Sequence, residues 1–415
     1  MKGKSVGIVG IAILTAHFLG IVFLGFVARN LTHDANANFL AIWGFLFAGA
    51  SVLTLNEQES ARQAAIAKEY RRHVPVSAVQ LALVSFIILF MCMLGVAILP
   101  VGRTVLGSSA LVYISVFVAI AGFSVQYLMR GILLGQGKDG LYSVVVAFEA
   151  IIRLGLLIAF YLFIGATITT TVVATCSGAF AWVVCAHVFV RDVDYREGRK
   201  SIPDILRQFF PLAVGNALLA CILTGFPMFV TALIGSSRGL ALFFSIVTLS
   251  RIPLTLMATI QALIVPAATR ALLTGNVKKL SDLQGKLLLG LIVSIPVLMI
   301  GGYIFGPWAT TVIFGASYRP SPWLVAIMLG VSALLAVALL QVAVFVPLQQ
   351  YGKIAVVWGM TVLVTMMAIL LSHQYDSTTR GTWGVITASV GSYLLSTVLL
   401  RFSLKKRTDS AQSEA

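Results

Sequence analysis

Apolar residues fill twelve long stretches of this chain, and polar residues collect in the short segments between them. Each stretch has roughly the 20 residues that a helix needs to cross a hydrocarbon core of about 30 Å. The stretches lack the alternation of barrel strands, and only helices and closed barrels satisfy their backbone hydrogen bonds in lipid. The pattern predicts an all-α polytopic membrane protein. The predicted spans are 6–28, 39–55, 78–100, 109–128, 143–165, 170–190, 210–234, 240–268, 286–306, 322–346, 353–372 and 382–401.

Basic residues lie mostly on one side of these spans. With the amino terminus placed in the cytoplasm, 22 of the 29 Lys and Arg residues fall in cytoplasmic segments and five in external loops. The external residues are Arg29, Arg103, Arg238, Arg319 and Arg380. This asymmetry predicts that both termini are cytoplasmic. The net charge of +15 is therefore mainly an orientation signal with some attraction to anionic lipids, and no nucleic-acid partner is expected.

The composition excludes several function classes. Hydrophobic residues make up 59% of the chain and charged residues 10%. The sequence contains no P-loop, no cluster with metal-ligand spacing and no plausible Ser-His-Asp set. We therefore expect no enzymatic activity, no cofactor and no metal.

A polar break at 191–209 separates six spans from six. It predicts an N-terminal six-helix lobe over 1–195, a C-terminal six-helix lobe over 196–402 and a disordered cytoplasmic tail over 403–415. The charged, helix-prone segment 56–77 predicts a separate amphipathic helix on the cytoplasmic surface.

Glu149 is the one acid placed deep in a predicted span, and Arg153 lies four residues further on, on the same helix face. Ionisable residues within a membrane are costly and are functional candidates by default. The pair predicts either a structural ion pair that holds the fifth helix in its lobe or a site for a coupling proton or cation. The structural interpretation is favoured because a paired carboxylate titrates less readily near neutral pH.

Arg251 lies inside the eighth predicted span without an acid in the same span, and Pro253 bends the helix beside it. A guanidinium grips phosphate oxygens through paired hydrogen bonds. Arg251 is therefore a candidate anion-binding residue in a cavity, and the alternative is a snorkelling or backbone-capping arginine.

Three neutral polar residues are weaker cavity candidates. His17 lies midway along the first span and Asn216 early in the seventh, so the two occupy comparable positions in the two halves. Gln261 lies further along the eighth span. For each of them, ordinary polar packing between helices is the favoured alternative.

Several local patterns, in order along the chain, resemble the polysaccharide-exporter branch of the MOP (multidrug/oligosaccharidyl-lipid/polysaccharide) superfamily. The segment 27–31 (Val-Ala-Arg-Asn-Leu) resembles the end of that family's first helix, although the usual Gly-Pro-Glu-Glu-Tyr-Gly is missing. The remaining matches are 130–137 with Tyr142, Glu149, Arg153 and Leu154; 250–254 with 260–262 and Pro266; and 314–322.

This resemblance implies a MATE/MOP-like two-lobed bundle in a bacterial cytoplasmic (inner) membrane. It implies a flippase that moves an undecaprenyl-diphosphate-linked glycan across the membrane by alternating access. The implied partners are the lipid-linked glycan, membrane lipids and possible glycan-assembly membrane proteins. The resemblance places Arg251 toward the cavity and the Glu149–Arg153 pair away from it.

Two other function classes compete with the flippase. An ion-coupled multidrug or small-molecule antiporter of the same superfamily needs acidic cavity residues, and only Glu149 is available. A non-transporting scaffold for glycan assembly would use the polar segments 56–77 and 191–209. Loss of function in an Arg251→Ala variant that still folds would argue against a scaffold.

Overall fold

The structure is a computed structural model that describes residues 3–195, 198–199, 201–235, 237–251, 254, 277–345, 348 and 350–413. Helices make up nearly all of this part of the chain. They are α1 (Gly3–Asn30), α2 (His33–Glu69), α3 (Ser77–Ile98), α4 (Pro100–Leu106), α5 (Ala110–Gly135), α6 (Asp139–Phe163), α7 (Ile168–Ser177), a 3₁₀ helix (Gly178–Cys185), α8 (His187–Asp192), α9 (Ile202–Leu223), α10 (Phe226–Ile234), α11 (Arg238–Ser250), α12 (Val277–Phe314), α13 (Pro322–Phe345), α14 (Tyr351–Leu371) and α15 (Ser377–Ser413). Two short strands, β1 (Val74–Pro75) and β2 (Val193–Asp194), pair in parallel, with Val74 opposite Val193.

The helices have the length and composition of membrane spans. Among the described residues, ten helices are long and apolar enough to cross a bilayer, and α9 with α10 makes an eleventh if the bent pair is one span. The all-α polytopic membrane class is confirmed. The predicted eighth span, 240–268, lies partly outside the described residues, and α11 covers only its beginning.

The seventh predicted span is bent by 69° where α9 ends and α10 begins. The amide groups of Thr224 and Gly225 both donate to the carbonyl of Ala220, which closes α9. Pro227 then stands in the first turn of α10, where its missing amide hydrogen costs no helix hydrogen bond. The break is therefore encoded locally, by a residue pair that ends one helix and a proline that starts the next.

Helix α2 is one continuous helix of 37 residues, so the predicted separate surface helix at 56–77 is wrong. The segment after Leu55 keeps one face buried, through Asn56, Ser60, Gln63 and Ala67. These positions recur every three or four residues, which is the spacing of one helix face. Small and neutral side chains on that face let the helix continue against the protein instead of turning onto the membrane surface.

A close contact between α2 and α5 passes through Gly131. A Cβ atom at this position would lie 1.9 Å from the Ser60 hydroxyl oxygen and 2.4 Å from the carbonyl oxygen of Glu57. Only glycine leaves room for the two backbones to approach this closely. Beside this contact, Leu128, Met129 and Ile132 of α5 are buried in a core that α6 and α3 complete.

The chain forms two compact units, Met1–Ser236 and Ser237–Ala415. The first unit thus includes α9 and α10, whereas the predicted lobes divide at 195/196; the two-lobe division stays a prediction. The structure also differs at the carboxyl end, where α15 continues to Ser413 through the predicted disordered tail. Neither glycine nor proline interrupts this segment, and Lys353 Nζ donates to Ser403 Oγ at 2.6 Å.

The second unit is built on α12 to α15. Helix α13 packs against both α12 and α15, and α14 packs against α15. A fully buried Gln341 on α13 joins it to α15, because its Oε1 accepts hydrogen bonds from Ser396 at 2.7 Å and Thr397 at 3.1 Å.

Asp376 caps the start of α15. Its carboxylate accepts hydrogen bonds from the Thr379 hydroxyl at 2.6 Å and from the amides of Thr378 at 3.0 Å and Thr379 at 3.3 Å. The Thr379 hydroxyl is the main cause that lowers the pKa of this carboxyl, and the two amides add to it. The ionised form is therefore the one that stabilises the helix end.

We expect Gly131→Ala to destabilise the first unit by about 1–3 kcal/mol, because the added methyl group overpacks the contact with α2. Gly155→Ala is the matched control, since nothing lies within 4 Å of a Cβ there and the change should be neutral or stabilise the helix by about 0.5–1 kcal/mol. The measurement is the thermal unfolding of each purified variant in detergent. Equal melting temperatures for the two variants would contradict the close contact.

We expect Asp376→Ala to cost about 1 kcal/mol at neutral pH through the lost cap. Since the folded pKa of Asp376 is lowered, its contribution is fully present above the unfolded pKa of about 3.9 and is lost as the pH falls through the lower folded pKa. Melting temperatures of wild type and Asp376→Ala should therefore differ at pH 7, approach each other as the pH falls below about 4, and converge only below the folded pKa. Asp376→Asn, which keeps a capping oxygen without a charge, should change little with pH, and a wild type without this convergence would refute the assignment.

Candidate functional site

Four charged side chains meet inside the first unit, and we call them the charge network: Glu57 on α2, Arg130 on α5, and Glu149 and Arg153 on α6. Each of the four side chains is between 13% and 15% exposed. All of them belong to helices that are candidate membrane spans. Such burial is tolerated only where the charges are paired, because an isolated ion is costly to remove from water.

The charges alternate in sign through the network. Arg130 Nε lies 3.2 Å from Glu57 Oε2, and Arg130 Nη1 lies 3.8 Å from Glu149 Oε2. Arg153 Nη2 contacts the other oxygen, Oε1, of Glu149. Every carboxylate therefore touches an arginine, and the formal charge of the four side chains sums to zero.

Helical spacing explains why these residues meet. Arg153 follows Glu149 by four residues, and Glu149 follows Tyr142 by seven, so the three lie along one face of α6. Gln126 and Arg130 are likewise four residues apart on α5. Helical spacing on α5 and α6 thus positions three of the four charges. The fourth, Glu57, comes from α2, which packs closely against α5 at Gly131.

Two uncharged side chains complete the hydrogen bonding. The Tyr142 hydroxyl donates to Glu57 Oε1 at 2.9 Å and accepts from Arg130 Nη2 at 3.0 Å. Gln126 Nε2 donates to Glu149 Oε2 at 2.6 Å. Each acid therefore accepts hydrogen bonds from a neutral donor as well as from an arginine.

Aromatic rings enclose both arginines. The guanidinium carbon of Arg130 lies 5.1 Å from the centre of the Tyr127 ring and 5.2 Å from that of Tyr142. The guanidinium carbon of Arg153 lies 4.8 Å from the Phe47 ring centre and 5.6 Å from that of Phe123. Cations held within about 6 Å of ring faces are stabilised by the ring quadrupole, more strongly where water is excluded.

Gly178, in the 3₁₀ helix, makes room for the Arg153 side chain. A Cβ there would lie 2.3 Å from Arg153 Nε, so any larger residue would displace the guanidinium from Glu149. The rings, the glycine and the ion pairs together fix the position of Arg153. In this arrangement, both carboxylates have hydrogen-bond donors and both guanidinium groups are enclosed by aromatic rings. It is suited to holding α2, α5 and α6 together.

The other residues predicted from the sequence are not part of this network. His17 is exposed on α1, with Nδ1 2.8 Å from the carbonyl oxygen of Ile13. Asn216 is half-buried on α9, in the first unit, and Arg251 is half-buried at the end of α11, in the second. Gln261 lies outside the described residues. The cavity roles of these four residues stay predictions, as does a coupling role for Glu149 and Arg153.

Glu57 is the functional candidate that the sequence reasoning missed, because 56–77 was assigned to a surface helix. With α2 continuous to Glu69, Glu57 becomes a second acid well inside a candidate span. The signal that could have identified it is the series Asn56, Ser60 and Ala64, since small or neutral residues four apart indicate a packed helix face. Among the described residues, no three His, Cys, Asp or Glu side chains are placed to hold a metal ion.

Comparisons with known proteins place the fold. Neither the known protein families nor the curated proteins provide a match to this sequence. Among solved structures, the chain is similar to the inward-facing conformation of a multidrug resistance MATE family transporter of the MOP superfamily, with a TM-score of 0.70 and 16% identity over 97% of this chain and 96% of that chain. An outward-facing conformation of such a transporter gives a TM-score of 0.64 and 16% identity over 97% and 94% of the two chains.

A third similar structure is a MOP superfamily transporter from Pyrococcus furiosus, described by a reverse polarity of its binding pocket that suggests a different function. It gives a TM-score of 0.62 and 16% identity over 98% of this chain and 96% of that chain. At this identity the likeness establishes the fold alone. The chain therefore has the fold of MATE transporters of the MOP superfamily.

We expect Arg130→Met to destabilise the protein by about 3–5 kcal/mol, because it leaves the buried Glu57 without its arginine. The double variant Arg130→Met/Glu57→Gln should recover much of this loss, since no uncompensated charge remains. The measurement is again thermal unfolding of the purified chain in detergent.

Arg62→Met is the control for the charge network, because the Arg62 side chain is 52% exposed in its pair with Glu59. An exposed pair of this kind contributes about 0–1 kcal/mol. If Arg62→Met and Arg130→Met lowered the melting temperature equally, the network would stabilise the fold no more than a surface ion pair does.

Proposed function

We propose that this protein is a flippase that moves a lipid-linked oligosaccharide or polysaccharide precursor, carried on undecaprenyl diphosphate, across a bacterial cytoplasmic membrane by alternating access. Similarity to both inward-facing and outward-facing MATE structures supports a fold that can expose a site to either side. The positive-inside distribution of Lys and Arg supports cytoplasmic termini. Neither the substrate nor the membrane follows from the fold, so both belong to the proposal.

An anionic substrate is favoured because the buried acids of the described spans are already paired with arginines. In the described candidate spans, Glu57 and Glu149 are the acids that the charge network buries, and each is ion-paired to an arginine. Glu59, further along α2, pairs with the exposed Arg62. A carrier of cations needs carboxylates that are available to its substrate. The described spans offer none at depth, which favours an anionic head group over a cationic drug.

Arg251 is the proposed contact for the diphosphate. It lies at the end of α11 and is half-buried, so its guanidinium is shielded in part from water. Guanidinium groups bind phosphate oxygens through two parallel charge-assisted hydrogen bonds, which are shorter and stronger than neutral ones. A diphosphate cannot cross hydrocarbon unaided, whereas a polar cleft open to lipid would carry it while the prenyl tail stays in the bilayer.

The second candidate function is an ion-coupled antiporter of small molecules. The observation in its favour is that the MATE structures with this fold are described as multidrug resistance transporters. The Pyrococcus furiosus transporter, described by a reverse polarity of its binding pocket, indicates that pocket polarity differs among proteins with this fold. A non-transporting scaffold is the third candidate, and transport measurements separate it from the other two.

The test is flipping in proteoliposomes of the full chain, with a fluorescent prenyl-diphosphate oligosaccharide as substrate. We expect wild type to expose the labelled lipid on the opposite leaflet, and Arg251→Ala to slow this by about tenfold or more, the effect of losing hydrogen bonds to a charged group. Arg251→Lys keeps the charge and should retain part of the rate. Arg103→Ala, which removes an exposed arginine of α4, is the matched control and should behave as wild type.

Melting temperatures of all variants are measured in parallel, so that a slow variant is known to be folded. Equal rates for wild type and Arg251→Ala would remove the arginine from the mechanism. Absence of protein-dependent flipping, together with gradient-driven uptake of a fluorescent cationic dye by the same vesicles, would establish the antiporter instead. Absence of both activities would favour the scaffold.

A further inference from the structure

The end of α2 has a backbone geometry that glycine normally supplies. The amide of Arg71 donates to the carbonyl of Lys68 at 3.1 Å, and the amide of Arg72 donates to that of Ala67 at 2.8 Å. These two bonds form a Schellman motif, in which the residue after the helix adopts a left-handed conformation. Arg71 occupies that position with a φ of 53°, and it is the one non-glycine residue with positive φ in the described part of the chain.

An arginine in this position is strained, and glycine would relieve the strain without disturbing either hydrogen bond. The backbone therefore gives no reason for an arginine here. Its side chain is exposed, as are those of Arg72 and His73. Strain that the local fold does not require is a recognised mark of a functional position.

The strand pairing adds a second basic segment beside the first. Strand β1 follows His73 directly, and its parallel register with β2 pairs Val74 with Val193 and Pro75 with Asp194. Arg191, exposed at the end of α8, precedes β2 by two residues, as Arg72 precedes β1 by two. The acid that follows it, Asp192, accepts a hydrogen bond from Lys138 Nζ at 2.5 Å, so its charge is already matched.

The start of α3 indicates the depth at which these segments are expected. The apolar helix α3 begins at Ser77, whose hydroxyl donates to Gln63 of α2 at 2.9 Å, so the connection 70–76 extends only a short way beyond the start of a membrane span. The head-group layer on each side of a bilayer is about 5–8 Å thick. Tyr70 is 70% exposed and Tyr195 is 56% exposed, and tyrosines are enriched at this boundary.

From this arrangement we infer that Arg71, Arg72, His73 and Arg191 form a binding site for the head group of an anionic phospholipid. We call it the head-group site. Clustered arginines beside exposed tyrosines match the anionic phosphate and the interfacial depth of such a head group. The site lies wholly within the first unit and involves none of the residues proposed for substrate transport, so it does not depend on that proposal.

The test measures binding and stability together in the purified full chain. Dioleoyl phosphatidylglycerol is titrated into detergent solutions of the protein, with dioleoyl phosphatidylcholine and inorganic phosphate in separate arms, and thermal unfolding is followed. We expect phosphatidylglycerol alone to raise the melting temperature. Arg71→Gly should melt higher than wild type without lipid, because the strain is gone, and should bind phosphatidylglycerol about fivefold more weakly, the effect of one arginine at a charged membrane surface.

Two further variants keep the inference open to refutation. Arg72→Ala should weaken the binding of phosphatidylglycerol by a similar factor without the gain in lipid-free melting temperature, and Arg103→Ala should change neither quantity. The inference is overturned if Arg71→Gly and Arg72→Ala both bind phosphatidylglycerol as wild type does. It is overturned equally if phosphatidylcholine or inorganic phosphate raises the melting temperature as much as phosphatidylglycerol.

Discussion

The interior of a bilayer holds no water for a charged side chain, and the first unit depends on how it meets this constraint. Arg130 touches both acids of the charge network, so its position ties α5 to α2 and to α6. Gly131 follows it immediately, and the missing side chain there lets α2 come near enough for Glu57 to reach the guanidinium. Close backbone packing at Gly131 therefore brings the charges of the network within reach of one another.

This arrangement also separates the roles of the basic residues. Arg130 and Arg153 are committed to acids and enclosed by aromatic rings, so they stabilise the fold and offer little to a substrate. Arg71 and Arg72 stand at the membrane boundary with exposed side chains. Arg251 belongs to the second unit, at a helix end. The net charge of +15 thus includes basic residues with different roles, and the surroundings of each residue distinguish these roles.

The span pattern was predictable because lipid demands long apolar helices, and the order and type of most helices followed from that demand. The continuity of α2 was not predictable from the sequence, since a charged stretch in a membrane protein normally indicates a surface segment. What decides otherwise is the packed face of Ser60 and Ala64 against α5, a tertiary contact that the sequence signals only weakly. The ion pair of Glu149 and Arg153 was accessible from helical spacing, but the reach of Glu57 to Arg130 across two helices was not.

The balance of charges in the network has an electrical consequence. Moving one elementary charge through a membrane potential of 100 mV involves about 2.3 kcal/mol. When the first unit is translated as a body, the two carboxylates and the two guanidinium groups move together, and the work done by the field on them cancels. A translation of the charge network through the membrane field therefore adds no voltage dependence. Any voltage dependence of such a translation has to arise from charges outside the network.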